Sequence, residues 1–117
     1  MMRLGLAAAA AVGLILAGTA FGHAKLRSTA PAAEAQLHVA PKSLTLNFNE
    51  AVRLGVLTVT AGGKEIPVTI DRSAPAAPQV TVALPALAAG KYQVHWSVMS
   101  EDDGHVTQGT FTFAILP

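Results

Sequence analysis

The sequence predicts an all-β domain, an immunoglobulin-like Greek-key β-sandwich or barrel of about seven strands, after an apolar N-terminal segment. The first observation is that apolar and polar residues alternate in several short runs, the period of a strand with one buried face. The second is that Gly, Pro, Asn and Asp separate these runs, as turns do. No helical periodicity follows the first two dozen residues, so the pattern favours packed sheets over a mixed fold.

The N-terminal segment has the layout of a secretory signal peptide. Met1-Met2-Arg3 is a short basic start, Leu4 to Phe21 carries no charge, and Ala20 and Gly22 are small residues near a predicted cut after Gly22. We therefore predict a signal peptide over 1–22, a domain over 23–117 and a periplasmic location, without a membrane span after cleavage. An uncleaved anchor is the alternative, because about 18 apolar residues can just span a bilayer.

The strands are predicted from the alternation and from the turn residues between them. Tyr92, Val94, Trp96 and Val98 share one face of the clearest strand and should form the centre of the core. An edge strand is expected over 24–29, a loop over 32–41, and an interruption at 49–52 between two strands. Gly62-Gly63 indicates a hairpin turn. The predicted strands after the edge strand are 43–48, 57–60, 64–70, 79–84, 91–98 and 110–115.

Composition excludes several classes of function. Lys and Arg number 8 against 7 Asp and Glu, without basic clusters, which argues against nucleic acid or an anionic membrane surface as a partner. The chain has no Cys, so its stability must come from the core, and no thiolate is available as a soft metal ligand.

The stretch from Ser100 to Gly109 is the candidate functional loop. It lies between two strand-like runs, and within it Asp103 and His105 are separated by one glycine. Gly104 can adopt backbone angles closed to other residues, which would let the two side chains converge. A carboxylate and an imidazole that converge supply half of a transition-metal site, although the spacing also fits an ordinary acidic surface loop.

His23 would become the first residue after cleavage, and this suggests the other half of the site. Its α-amine and its ring Nδ1 could chelate one metal ion, and an α-amine loses its proton more readily than a lysine. Together with His105 and Asp103 they would form a tetragonal set of three nitrogens and one oxygen, which suits Cu(II). By contrast, His95 is expected to point outward from its strand and His38 to lie in a polar loop, both as solvated surface residues.

From His23 to Ile115 the chain resembles the CopC family of periplasmic copper-binding proteins. The most specific matching feature is a Gly-x-Tyr-x-Val-x-Trp run followed by Asp-x-His. The matching segments are His23-Ala24-Lys25-Leu26, Ser28-Thr29-Ala30-Pro31, Leu46-Asn47-Phe48-Asn49-Glu50, Leu87 to Trp96, Ser100 to Gly109, and Phe111-Thr112-Phe113.

The resemblance implies a Greek-key fold and one Cu(II) per chain, bound by His23, Asp103 and His105. Glu50 matches an acidic residue near the site in some members, as a weak or indirect ligand, but a solvated rim carboxylate is an equal reading. Some members also carry a Cu(I) site of several methionines. The segment 66–79 has no Met and Met99 is the only methionine after the signal, so no Cu(I) site is expected.

The predicted function is that of a Cu(II) carrier or buffer in copper resistance or homeostasis, and not that of an enzyme. The family resemblance implies a CopD-type inner-membrane copper transporter as a separate partner. Two alternatives remain: a copper-dependent oxidative enzyme of the histidine-brace type, and an immunoglobulin-like interaction module that binds no metal. Tyr92 and Trp96, assigned to the core, and the Asp103 carboxylate on the metal both argue against the oxidative enzyme.

Overall fold

The computed structural model describes residues 24–117, so the predicted signal peptide and His23 lie outside the described residues. Seven strands and no helix occupy this part of the chain. Consequently no helix within it is long and apolar enough to cross a membrane. The strands are β1 Leu26–Ala30, β2 Ala35–Leu37, β3 Ser43–Ala61, β4 Lys64–Ile66, β5 Ala77–Ala83, β6 Gly90–Ser100 and β7 Val106–Ile115.

The strands form one hydrogen-bonded sheet in the order β1-β3-β6-β7-β2, with β4 and β5 also paired to β3. All pairs are antiparallel except β2 with β7, which is parallel. At 19 residues, β3 is the longest strand, and it pairs with four others. The predicted all-β class of about seven strands is confirmed.

The core lies on the inner face of this sheet, where the alternation placed it. Tyr92, Val94, Trp96 and Val98 of β6 are all buried, as predicted. The ring of Trp96 meets that of Phe48 edge-on, with centroids 5.3 Å apart and planes at 75°. The other large buried residues are Leu44, Leu46, Val52, Leu57, Val59, Val82, Phe111, Phe113 and Ile115.

The predicted interruption at 49–52 is a bulge and not a break. β3 runs continuously through it, but the register with β5 shifts between Asn47 and Val52. The alternation of apolar and polar residues is therefore irregular at 49–52 because β3 changes its partner strands there. The first half of β3 pairs with β1 and β5, and the second half pairs mainly with β6.

Three other predicted boundaries differ from the structure. The loop predicted over 32–41 contains β2, which exists because it pairs with the end of β7. The return strand after the glycine turn ends at Ile66, because Pro67 has no N–H to continue the ladder. Finally, β7 begins at Val106, so the functional loop shortens to the five residues 101–105.

β1 and β6 approach each other along the same side of β3. At Asn47, β3 has β5 on one side and β1 on the other. At Val52, β3 has β5 on one side and β6 on the other. Since a strand has only two hydrogen-bonding sides, β1 and β6 share the other one. Leu26 pairs with Phe48 and Ser100 with Val52, so the start of β1 and the end of β6 face each other near Glu50.

Candidate metal centre

The turn between β6 and β7 is closed by the backbone of Ser100. The Ser100 N–H donates to the carbonyl of His105 (2.8 Å), and the Gly104 N–H donates to the carbonyl of Ser100 (3.0 Å). Gly104 has a φ of 74°, in the left-handed region that residues with a side chain rarely adopt. The glycine predicted to allow convergence therefore does have the required conformation.

Asp103 and His105 converge as the spacing predicted. Their side chains meet through Asp103 Oδ2 and His105 Nδ1 at 3.1 Å. The His105 N–H also donates to Asp103 Oδ1 at 3.0 Å. The imidazole has a second nitrogen, Nε2, which this contact does not use. A carboxylate that holds one ring nitrogen in this way orients the other toward a metal ion.

The pKa of Asp103 is lowered, mainly because its carboxylate accepts the backbone N–H of His105. Desolvation opposes this effect, while the imidazole of His105 and the nearby Ser100 hydroxyl contribute smaller lowering effects. The Ser100 hydroxyl lowers this pKa without forming a hydrogen bond to the carboxylate. A carboxylate with a lowered pKa is ionised at neutral pH, the state in which it binds metal.

The start of β1 and the turn after β6 are both hydrogen-bonded to β3, on either side of Glu50. On one side, the Lys25 N–H donates to Asn49 Oδ1 (2.8 Å) and the Asn49 N–H donates to the Lys25 carbonyl (3.0 Å). On the other side, the Glu101 N–H donates to the carbonyl of Ala51 (3.0 Å). Asn49 and Ala51 are two residues apart, about 7 Å along a strand. Glu50, half-buried, lies between the two attachments.

The predicted site residues therefore have different outcomes. The structure brings Asp103 and His105 into contact, and the side chains of both are partly exposed, at 29% and 60%. Within residues 24–117 no three His, Asp or Glu side chains form a group able to hold a metal ion, so Glu50 does not complete one with this pair. His23 lies outside the described residues. Any complete site that uses this pair requires a further ligand.

His38 and His95 lie outside this turn, whereas Met99 borders it at the end of β6. His38 is exposed in the segment between β2 and β3. His95 is in the middle of β6 on the face opposite the core, half-buried between Thr58 and Thr110 of the neighbouring strands. Met99 is 41% exposed on that same outer face. His38 is therefore exposed as predicted, and His95 points outward as predicted but is half-buried rather than fully solvated.

Sequence reasoning missed the role of Ser100 and of two buried polar groups near it. Ser100 is 1% exposed, although it was assigned to a loop. Trp96 Nε1, Ser100 Oγ and Thr107 Oγ1 are buried, and none makes a hydrogen bond to another protein group. Residues two apart on a strand share a face, and Val98 lies on the inner face. Extending the predicted strand by two residues would therefore have placed Ser100 on the inner face.

Comparison with known proteins gives a consistent result over most of the chain. The sequence model of the CopC domain family matches residues 26–116. Protein YobA of Escherichia coli strain K12 is 36% identical over 100 residues, covering 81% of this chain and 80% of YobA. Copper resistance protein C of Escherichia coli is 31% identical over 116 residues, covering 88% of this chain and 90% of that protein.

Solved structures show the same likeness. The crystal structure of CopC from Methylosinus trichosporium OB3b superposes with a TM-score of 0.69 at 27% identity, covering 81% of this chain and 95% of that one. That of PcoC, described as a methionine-rich copper resistance protein from Escherichia coli, gives 0.65 at 26% identity, covering 80% and 99%. Both fold and sequence therefore point to one family.

Proposed function

The chain belongs to the CopC family, and from that premise we propose that it is a periplasmic Cu(II)-binding protein, a carrier or buffer in copper resistance or homeostasis. Relatives named copper resistance protein C, and solved structures with that fold, support copper as the ligand. One Cu(II) binds per chain, after removal of residues 1–22.

This proposal rests on one observation: the start of β1 and the end of β6 face each other beside Glu50. The Asp103–His105 turn is attached to Ala51, and Lys25 is attached to Asn49, on the same side of β3. Whatever residue precedes Ala24 has its Cα about 3.8 Å from that of Ala24 across a trans peptide. We infer that an N-terminal residue at position 23 can reach the turn from the start of β1.

The proposed ligands are His23, Asp103 and His105. His23 contributes its α-amine and Nδ1, His105 an imidazole nitrogen, and Asp103 a carboxylate oxygen, which together make a tetragonal N,N,N,O set suited to Cu(II). Coordination by Asp103 and His105 together requires their present contact of 3.1 Å to open or to shift to the other imidazole nitrogen. Glu50, between the two attachments, is proposed as a weak ligand or as a partner of a ligand.

A methionine Cu(I) site forms no part of the proposal. Soft thioethers select Cu(I), and several of them are needed to enclose the ion. Met99 is the only methionine among residues 24–117, and it lies on the outer face of β6. In this respect the chain contrasts with PcoC, described as methionine-rich.

A separate CopD-type inner-membrane transporter is the proposed partner in copper transfer.

The positions of the aromatic residues favour a carrier over an oxidative enzyme. Enzymes with a terminal histidine brace act on extended substrates and commonly present exposed aromatic rings near the metal. Tyr92 and Trp96, the one tyrosine and the one tryptophan of the chain, are 5% and 6% exposed. They stabilise the core and offer no such surface.

Copper titration of the exported protein tests the proposal. Protein is recovered from a bacterial periplasm and its mass measured, with His23 expected as the first residue. One equivalent of Cu(II) should bind, with a nitrogen-rich tetragonal electron paramagnetic resonance spectrum. His105→Ala should weaken binding by more than the 10–100-fold typical of residues that only support a ligand.

His95→Ala is the matched control, because it removes an imidazole from the same β6–β7 hairpin on the opposite face. It should leave the affinity within a few-fold of wild type. The proposal is contradicted if the wild-type protein binds no Cu(II), or if the two variants lose affinity equally.

A further inference from the structure

Three buried polar atoms lie on the inner face of the β6–β7 hairpin that carries the Asp103–His105 turn, and none has a hydrogen-bond partner in the protein. They are Trp96 Nε1, Ser100 Oγ and Thr107 Oγ1. Burying an amide, hydroxyl or indole N–H without a hydrogen bond is costly, so buried polar groups in native proteins nearly always have a partner. Three such atoms at one end of the sheet call for a common explanation.

The register of β6 and β7 places the three side chains side by side. Thr107 pairs with Val98, and Ser100 and Trp96 are the residues two positions to either side of Val98. Paired residues share a face of the sheet, as do residues two apart, so all three side chains point inward. Thr107 is thus the diagonal neighbour of both others, with Cα separations of about 7–8 Å.

Gly109 leaves room for the indole of Trp96 against β7. It pairs with Trp96, and the indole covers it so closely that a β-carbon on Gly109 would lie 3.3 Å from Trp96 Nε1. The indole N–H is therefore held against β7 at Gly109, two residues from Thr107. An indole N–H only donates, whereas each hydroxyl can donate and accept. Trp96 and Ser100 are four residues apart on β6, about 13 Å along the strand, so one water molecule cannot reach both. Bound water molecules, which make about three hydrogen bonds each in such sites, can join Thr107 to the indole and Thr107 to the Ser100 hydroxyl.

We propose that Trp96, Ser100 and Thr107 bind buried water, with Thr107 shared between its two neighbours, and that this water supports the turn presenting Asp103 and His105 to copper. The second part rests on the function proposed above. The backbone of Ser100 already closes the turn through its N–H and its carbonyl. A water on its hydroxyl ties that closure to β7 through Thr107. Ser100 and Thr107 are thus positioning residues for the copper ligands.

Nuclear magnetic resonance of the metal-free protein tests the water site without copper. The chain has one tryptophan, so its indole N–H signal is unambiguous. We expect cross-relaxation between this proton and a long-lived water. Thr107→Val, which replaces the hydroxyl by a methyl of similar size, should abolish that signal, whereas Thr107→Ser should keep it. Absence of cross-relaxation in the wild-type protein would overturn the water site.

Thr110→Val is the matched control, since Thr110 is an exposed residue of the same strand on the outer face. It should leave the indole signal unchanged. An equal change in the indole signal with Thr110→Val would overturn the assignment of the site to the inner face.

Copper affinity tests the positioning role. Ser100→Ala and Thr107→Val should each weaken Cu(II) binding about tenfold, as loss of a residue supporting a ligand typically does. Thr107→Ser and Thr110→Val should bind as the wild-type protein does. Unchanged affinity in both Ser100→Ala and Thr107→Val would overturn this role. If wild type binds no Cu(II), the proposed function fails and the resonance experiment still decides the water site.

Discussion

At the scale of single residues, Gly109 shows how a position without a side chain supports the site. A β-carbon there would lie 2.7 Å from Trp96 Cζ2, closer than real contacts allow. Trp96 cannot withdraw easily, because its ring is buried against Phe48. We expect Gly109→Ala to lower the free energy of unfolding by about 1–3 kcal/mol, the usual cost of overpacking. Urea denaturation monitored by tryptophan fluorescence measures it.

Gly55→Ala is the control for this prediction. A β-carbon at Gly55 would meet only the Ser97 carbonyl at 3.5 Å, an ordinary contact. Replacement of glycine by alanine at a compatible position is neutral or stabilises by up to about 1 kcal/mol, since it restricts the unfolded chain. Equal stability of the two variants would show that Trp96 does not press on Gly109.

The residues of the turn were predicted only in part. The glycine between Asp103 and His105 indicated convergence, and the two side chains do meet. The closure of the turn by Ser100 was not predicted, because it depends on backbone atoms, which every residue has. The contribution of His23 stays a prediction, since it depends on where the signal peptide is cut.

At the scale of whole elements, strands with an unbroken period were predicted well and short ones were not. β6 was predicted over 91–98 and spans Gly90–Ser100, because its alternation is strict and its inner face is fully buried. β2 has only three residues, and it is a strand only because β7 pairs with it. The start of β7 was missed for a related reason, as Val106 to Gly109 are paired to β6 but mostly not deeply buried.

Hydrogen exchange should rank the elements in the same way. β6 is bonded on both sides, with Val94 paired to Val59 and to Phe111. Its central amides should therefore exchange only when the whole domain unfolds. The segment 67–76 contains no strand and is largely exposed, so its amides should exchange through local opening, orders of magnitude faster. Similar protection of the two regions would contradict this ranking.

At the scale of the whole molecule, the proposed copper ion would connect the two ends of the domain. Its proposed ligands come from the residue at the cleaved N-terminus and from the turn before the last strand. A ligand that binds only the native state adds RT ln(1 + [L]/Kd), about 4 kcal/mol at a thousand times Kd. The melting temperature should therefore rise with the first equivalent of Cu(II), by about 4–8 °C for each kcal/mol gained.

Asp103→Asn tests whether the carboxylate takes part in this stabilisation. The amide is nearly isosteric but uncharged, so the rise in melting temperature on adding Cu(II) should be smaller than for the wild-type protein. Glu101→Gln is the control, because Glu101 belongs to the same turn but forms an exposed ion pair with Arg53. An unchanged wild-type melting curve would argue against any site that joins the N-terminus to the turn.

The α-amine of an N-terminal His23 is proposed to bind Cu(II) together with the Asp103–His105 turn. The most direct measurement compares protein that begins at His23 with protein that carries one extra alanine before it. The extra residue keeps every side chain but moves the α-amine off the chelate. We expect a loss of Cu(II) affinity well above about 100-fold and a changed electron paramagnetic resonance spectrum. Equal affinity and an identical spectrum for the two proteins would show that the amine is not a ligand.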